Sequence, residues 1–281
     1  MSSHTPSMRD MLYEVPGPRA RRRIRVWTAV GSVLLLALVV LVLRQFALKG
    51  QFAPRYWAFF LQPTTWAFLG TGFLGTLWAS LAAGALALVL GLVLMLGRIN
   101  GPMVVRGVCR VVTDFFRGVP SLLLIYFFFL VLPQYGISMQ PFWMIVLPAG
   151  LAASGVLAEV FRAGVNAVPT GQVEAALSLG MSQRAITFKI VLPQAVRFVI
   201  PTLISQLVVV VKDTTLAYVV SYPDMMQNAR VLVNNYNALV STYLVAAVIY
   251  ILLNYLINKA AALVASRTGV TIMTRSSARP I

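Results

Sequence analysis

The chain has 281 residues, 59% of them hydrophobic and only 11% charged, with a mean hydropathy of +0.83. A soluble domain carries about 25% charged residues, so this composition excludes one. The net charge of +16 does not describe a nucleic-acid-binding face, because the basic residues are scattered between apolar runs and no soluble domain is left to carry such a face.

Several of those runs exceed the roughly 18 apolar residues that mark a spanning helix. The expectation is therefore an all-α, polytopic membrane protein with about six transmembrane helices. The single Cys109 allows no intrachain disulfide.

Residues 1–25 form a polar tail ending in Arg19, Arg21, Arg22, Arg23 and Arg25, which reads as cytoplasmic. The apolar run that follows predicts a transmembrane helix over 26–46. It is longer than the 7–15 or so residues of a signal-peptide core, which favours a retained anchor. Residues 44–62 are mixed, and Tyr56, Trp57, Phe59 and Phe60 suit the outer membrane interface.

A long apolar helix is predicted over 68–96. Its small residues Gly72, Gly75, Ala79, Ala82, Ala83, Gly84 and Gly91 read as a packing face. Residues 98–102 turn the chain, and it re-enters from Val104. Asp114-Phe115-Phe116-Arg117-Gly118-Val119-Pro120 precedes the apolar run 121–132. Asp114 and Arg117 stand three apart and can pair, while Gly118 and Pro120 allow a bend.

The segment 142–165 spans back and carries Glu159 and Arg162, again three apart. A carboxylate near membrane depth marks function by default, and a structural clamp is the competing reading. The next span, 195–211, ends in Lys212-Asp213-Thr214-Thr215-Leu216. Residues 217–237, with Tyr222, Pro223, Asp224 and Asn228, read as an outer helix and loop. The last span is 238–264, and residues 265–281 form a second basic tail.

Between the spans lies one polar interruption, residues 169–193. Thr170 can cap a short helix, with Glu174 near its positive end. Gly180 suits a left-handed stop, Ser182 can cap a second short helix, and Pro193 fits the first turn of the next span. Assigning both termini and this segment to the cytoplasm places 18 of the 23 Lys and Arg residues inside, as the positive-inside rule requires.

The interruption carries Glu174-Ala175-Ala176, three residues, Gly180, nine residues, then Ile190-Val191-Leu192-Pro193. It resembles the EAA loop of ABC importer permeases. Asp114 to Pro120, Ala158 to Gly164 and Lys212 to Leu216 are similar to elements of the polar amino-acid group within that family, with Ala163 for a usual Gly and Thr215 for a usual Ser. The likeness covers roughly residues 71–264, a five-helix permease core over 68–264 preceded by an extra N-terminal helix. The long form, with its Leu12 to Pro18 stretch, is most like the longer permease subunit of actinobacterial glutamate uptake systems.

The resemblance implies alternating access in the cell membrane. The EAA residues Glu174, Ala175, Ala176, Gly180, Ile190, Leu192 and Pro193 would couple to a separate ABC ATPase dimer. A second permease subunit would complete the pathway, and an extracytoplasmic binding protein would deliver a polar amino acid, glutamate first. Asp114, Arg117, Glu159, Arg162, Lys212, Asp213, Thr214 and Thr215 are the family's polar elements and possible pathway residues. Lys212 would suit a substrate carboxylate, although Lys212 and Asp213 also read as structural.

No G-x-x-x-x-G-K-[ST] loop is present, so ATP binding of that kind falls to the partner. The only histidine is His4, and no His/Cys cluster suits a metal. No cofactor and no catalytic constellation are expected, which disfavours a membrane enzyme. An ion-coupled secondary transporter is the other alternative, and the lack of an internal repeat disfavours it.

Overall fold

The computed structural model describes residues 17–267, which divide into two compact units between Trp57 and Ala58. The basic tail before Gly17, with His4, and the tail after Arg267 lie outside the described residues.

The first unit is a single helix, α1 (Pro18–Leu48), closed by Gly50 at φ +68° and a short turn, Pro54–Tyr56. It starts eight residues before the predicted 26, so the run of arginines is helical. Pro18 sits in its first turn, where a missing N–H costs nothing, and arginine is a good helix former.

The second unit is an all-helical bundle, with no strand among the described residues. It contains α2 (Pro63–Asn100), α3 (Met103–Gly118), α4 (Ser121–Tyr126), α5 (Pro141–Asn166), α6 (Thr170–Ser178), α7 (Gln183–Ile186), α8 (Leu192–Asp213), α9 (Met225–Tyr236) and α10 (Leu239–Arg267). Across the described residues five segments are long and apolar enough to span a membrane, and the bent pair α3 and α4 can make a sixth.

The bend between α3 and α4 is 98°. It falls at Val119, not at Gly118. Val119 is extended (φ −86°, ψ 126°) because a residue before proline is excluded from the helical region. α4 then runs through a π turn (Phe127–Val131) and a 3-10 turn to Gly136 in the left-handed region.

α5 is the centre of the bundle, packed by α2 on one side and by α3 and α8 on others. Small residues allow this, as expected of a packing face. Ala79, Ala83 and Ala87 of α2 are fully buried. A Cβ added at Gly91 would approach Leu157 and Ser154 within 3.1 Å, and one at Gly75 would strike the Pro223 carbonyl. Gly155 holds α3 equally close, because a Cβ there would lie 2.8 Å from the Arg117 nitrogen and the Thr113 oxygen.

The segment 217–237 contains the expected helix, α9, but it packs into the bundle. Thr214–Val220 continues α8 as a 3-10 turn, and α9 packs back against α2 and α10. Asp224 and Asn228, expected in an exposed polar stretch, are 0% and 3% exposed. Each is buried because it satisfies a helix end or a neighbouring carbonyl. Asp224 caps α9 by accepting from the Gln227 N–H at 2.8 Å, and Asn228 Nδ2 donates to Phe68 O at 2.7 Å. Tyr222 Oη donates to Gly75 O, and Tyr250 Oη faces the second oxygen of Asp224 at 3.5 Å. Burial pushes the Asp224 carboxyl up to about 6, against the opposing pull of these hydrogen bonds. Of the aromatics placed at the interface, Phe59 is instead buried and stacked on Tyr236.

Candidate functional site

The polar interruption folds as an elbow. α5 ends at Asn166, Pro169 turns the chain, and α6 follows. The cap of α6 is Pro169, not Thr170, which is already helical and makes no side-chain cap. Proline fixes the entry φ without needing its absent N–H. Gly180 then takes φ +74°, the left-handed stop its position predicts. Ser182 caps α7, accepting from the Ala185 N–H at 3.4 Å.

The second short helix does not stop before the next span. A π turn, Thr187–Val191, joins α7 to α8, and Leu192 N–H reaches back five residues to Thr187 O. Pro193 cannot donate to the carbonyl four residues back, and the widened turn accommodates that gap. The elbow is therefore rigidly continuous with a long helix. It also grips the end of α2, where Thr187 Oγ1 donates to Asn100 Oδ1 at 3.2 Å.

The Glu-Ala-Ala stretch is split by the helix period. Glu174 and Ala175 are exposed. Ala176, which the resemblance puts with them among the residues that couple to an ATPase, is 4% exposed and packs inward with Ile186, Val191 and Ala195. Ile190 packs against the same cluster, while Leu192 is half-buried and Pro193 is exposed. A groove of about 580 Å3 runs beside the elbow, lined by Ile99, Asn166, Glu174, Gln183 and Ile186 among others.

The two ion pairs read from spacing both form, but they belong to one network. Arg162 reaches Glu159 at 2.6 Å, and Arg117 reaches Asp114 at 3.7 Å. Glu159 is also in direct contact with Arg98 of α2 and lies 3.8 Å from Arg117 of α3. One carboxylate thus ties three helices. Arg98 was missed by sequence reasoning because its partner stands 61 residues away. Its only signal was a charge just inside the end of a very apolar helix.

Above this network, at the α3 and α4 bend, opens a cleft of about 140 Å3. Its polar lining is Arg117, Ser121, Gln206 and Asp213. Lys212 is exposed on α8. Thr214 is fully buried and shares a hydrogen bond with Ser80 at 3.1 Å, whereas Thr215 turns back to the Lys212 carbonyl. The structure therefore brings Arg117 and Asp213 to one cleft, and Thr214 to the packing core. Glu174, Ala175 and Gly180 stand apart at the bundle's other level. Among the described residues no group of acidic, His or Cys side chains is arranged to hold a metal.

A bundle of spanning helices with a polar elbow between two of them is the architecture of a transporter's membrane subunit. The crystal structure of an amino acid ABC transporter with histidines matches it with a TM-score of 0.68 at 25% identity, covering 72% of this chain and 94% of that one. The family described as binding-protein-dependent transport system inner membrane component matches residues 87–270, and the chain belongs to that family. It is 37% identical over 212 residues to the glutamate transport system permease protein GluD of Corynebacterium glutamicum, covering 73% of this chain and 77% of that one. It is 34% identical over 199 residues to the probable glutamine ABC transporter permease protein GlnP of Bacillus subtilis, covering 69% and 91%.

Proposed function

We propose that this chain is a permease subunit of an ABC importer for polar amino acids, with glutamate as the first candidate substrate. The observation that carries the reading is the elbow. It is a short helix with Glu174 and Ala175 exposed, closed by Gly180 and continuous with α8. A rigid lever of this kind passes a push at its exposed face directly into a spanning helix. Relatives named for glutamate and glutamine support the substrate class. ATP is bound and hydrolysed by a partner ATPase dimer, and this subunit catalyses nothing. An extracytoplasmic binding protein delivers the amino acid, and a second, different permease completes the pathway.

Reconstitution with the partner ATPase, partner permease and binding protein tests this. ATP-driven uptake of labelled glutamate is expected, competed by unlabelled glutamate. Uptake driven by a proton or sodium gradient without ATP would favour the ion-coupled alternative.

Both termini and the elbow are placed in the cytoplasm, on the charge asymmetry of 18 in 23 basic residues. In a Cys109→Ser background, an impermeant thiol reagent applied to intact cells is expected to label Asn234→Cys but not Gln183→Cys. Both positions are exposed in the bundle, whereas the buried Asn228 cannot report. Labelling of position 183 from outside would reverse the orientation.

A further inference from the structure

α3 has three faces. At 100° per residue, Thr113, Cys109, Val112 and Phe116 face the bundle, and Val104, Val108, Val111 and Phe115 form an apolar stripe. The third face holds Arg106, Arg110 and Arg117, within about 40° of one another. All three arginines are exposed. Arg117 is engaged by Asp114 and Glu159, whereas Arg106 and Arg110 form no ion pair among the described residues.

The upper end of this row is fixed by packing. Arg117 lies against Gly155, eleven residues or about 17 Å along α5 from its elbow end. There it enters the cleft with Ser121, Gln206 and Asp213. Arg110 and Arg106 follow on the same face, about 10 Å and 16 Å nearer the start of α3. α3 starts beside Asn100, which the elbow's Thr187 holds. The row therefore descends from the cleft to the elbow end of the bundle. From α8 the cleft takes Gln206 and Asp213, polar groups on a spanning helix. Charged groups at such depth are expensive in lipid and mark a functional path by default. Three arginines, at 98, 117 and 162, already share the two carboxylates Asp114 and Glu159, which leaves Arg106 and Arg110 without an ion pair among the described residues.

We infer that Arg117, Arg110 and Arg106 form a cationic lane that passes the extra carboxylate of an acidic amino acid from the cleft to the elbow end of the bundle. The inference rests on the amino-acid permease reading and adds to it the residues that select substrate charge. Asp213 stands on the opposite wall of the cleft, placed for the ammonium group. Charge complementarity of this kind raises local substrate concentration and rejects cations.

The test uses the full complex in vesicles, with Cys109→Ser and Gln206→Cys as the reporter in the cleft. The reporter's reaction rate is measured with an anionic (sulfonatoethyl) and a cationic (trimethylammonioethyl) methanethiosulfonate. Their ratio cancels changes in access. Arg110→Gln is expected to lower the anion-to-cation ratio by about tenfold and to lower the initial rate of glutamate uptake similarly, as loss of one charged contact does. Arg110→Lys is expected to restore both. An unchanged ratio in Arg110→Gln overturns the inference. So does an uptake defect present in vesicles of anionic lipid and absent in zwitterionic ones, which would make the row a headgroup contact. Wild-type vesicles that take up only neutral or basic amino acids overturn the lane and leave the permease reading standing. Vesicles that take up no amino acid overturn the permease reading, and the lane with it.

Discussion

Gly180→Val is expected to leave the subunit in the membrane and to abolish coupled transport. Position 180 lies outside every candidate span, ahead of the stretch that begins at Gln183, so insertion is untouched. Its φ of +74° is in the region that a β-branched residue enters only with strain of about 1–2 kcal/mol. A Cβ there would meet nothing within 4 Å, so the effect is backbone strain and not a clash within the chain. The strain is relieved by re-angling α6 against α7. That moves exposed Glu174 and Ala175 relative to α8, the helix the elbow drives. Substrate-stimulated ATPase activity should fall severely, and the ATPase should wash off the complex more readily. Ala175→Trp is the companion variant, because Ala175 is exposed. Ala176→Trp is unsuitable, since it would first break the subunit's own cluster with Ile186 and Val191. If Gly180→Val and Ala175→Trp both keep wild-type uptake and retain the ATPase, the elbow is not the coupling element.

The second large effect is expected at Glu159. Replacing it with Gln leaves Arg98, whose side chain is only 12% exposed, without its carboxylate, and also frees Arg162 and Arg117. Arg98 is largely buried while Arg117 and Arg162 are about half exposed, so the loss falls below the about 3–5 kcal/mol of a fully buried pair and above the about 1 kcal/mol of a surface one. The three helices it ties, α2, α3 and α5, should then loosen together. Asp114→Asn is the contrast. Its pair with Arg117 is half exposed and 3.7 Å long, and such a surface pair contributes less than about 1 kcal/mol. Thermal unfolding of the detergent-solubilised subunit checks the difference. Equal small losses in the two variants would show that Glu159 is not the hub.

Local chemistry alone was enough for the elbow's stop and its second cap, though not for the first cap or the π turn that joins it to α8. Gly180 needs no distant partner to take a left-handed conformation, and Ser182 caps the residues immediately after it. The spans and their small-residue faces were equally legible, because hydropathy and side-chain size act within one helix. The pairs Asp114 with Arg117 and Glu159 with Arg162 follow from the helix period alone. The failures share a cause. Asp224 and Asn228 looked like exposed residues of an outer helix and loop because polarity predicts exposure on average. Their burial depends on Gln227 and on Phe68, the latter 160 residues away.

By itself the sequence determined an all-helical membrane bundle, its elbow and its place in a permease family, since these rest on apolar run length, local turn chemistry and motif spacing. Only the tertiary structure decided that Ala176 faces inward while Glu174 faces out, that Arg98 completes the Glu159 network, and that the arginines of α3 descend from a cleft shared with α8. Each depends on which helices meet and at what angle. The close approaches at Gly75 and Gly155 set those angles through contacts far apart in the chain, with the local 98° turn at Val119 aiming α4.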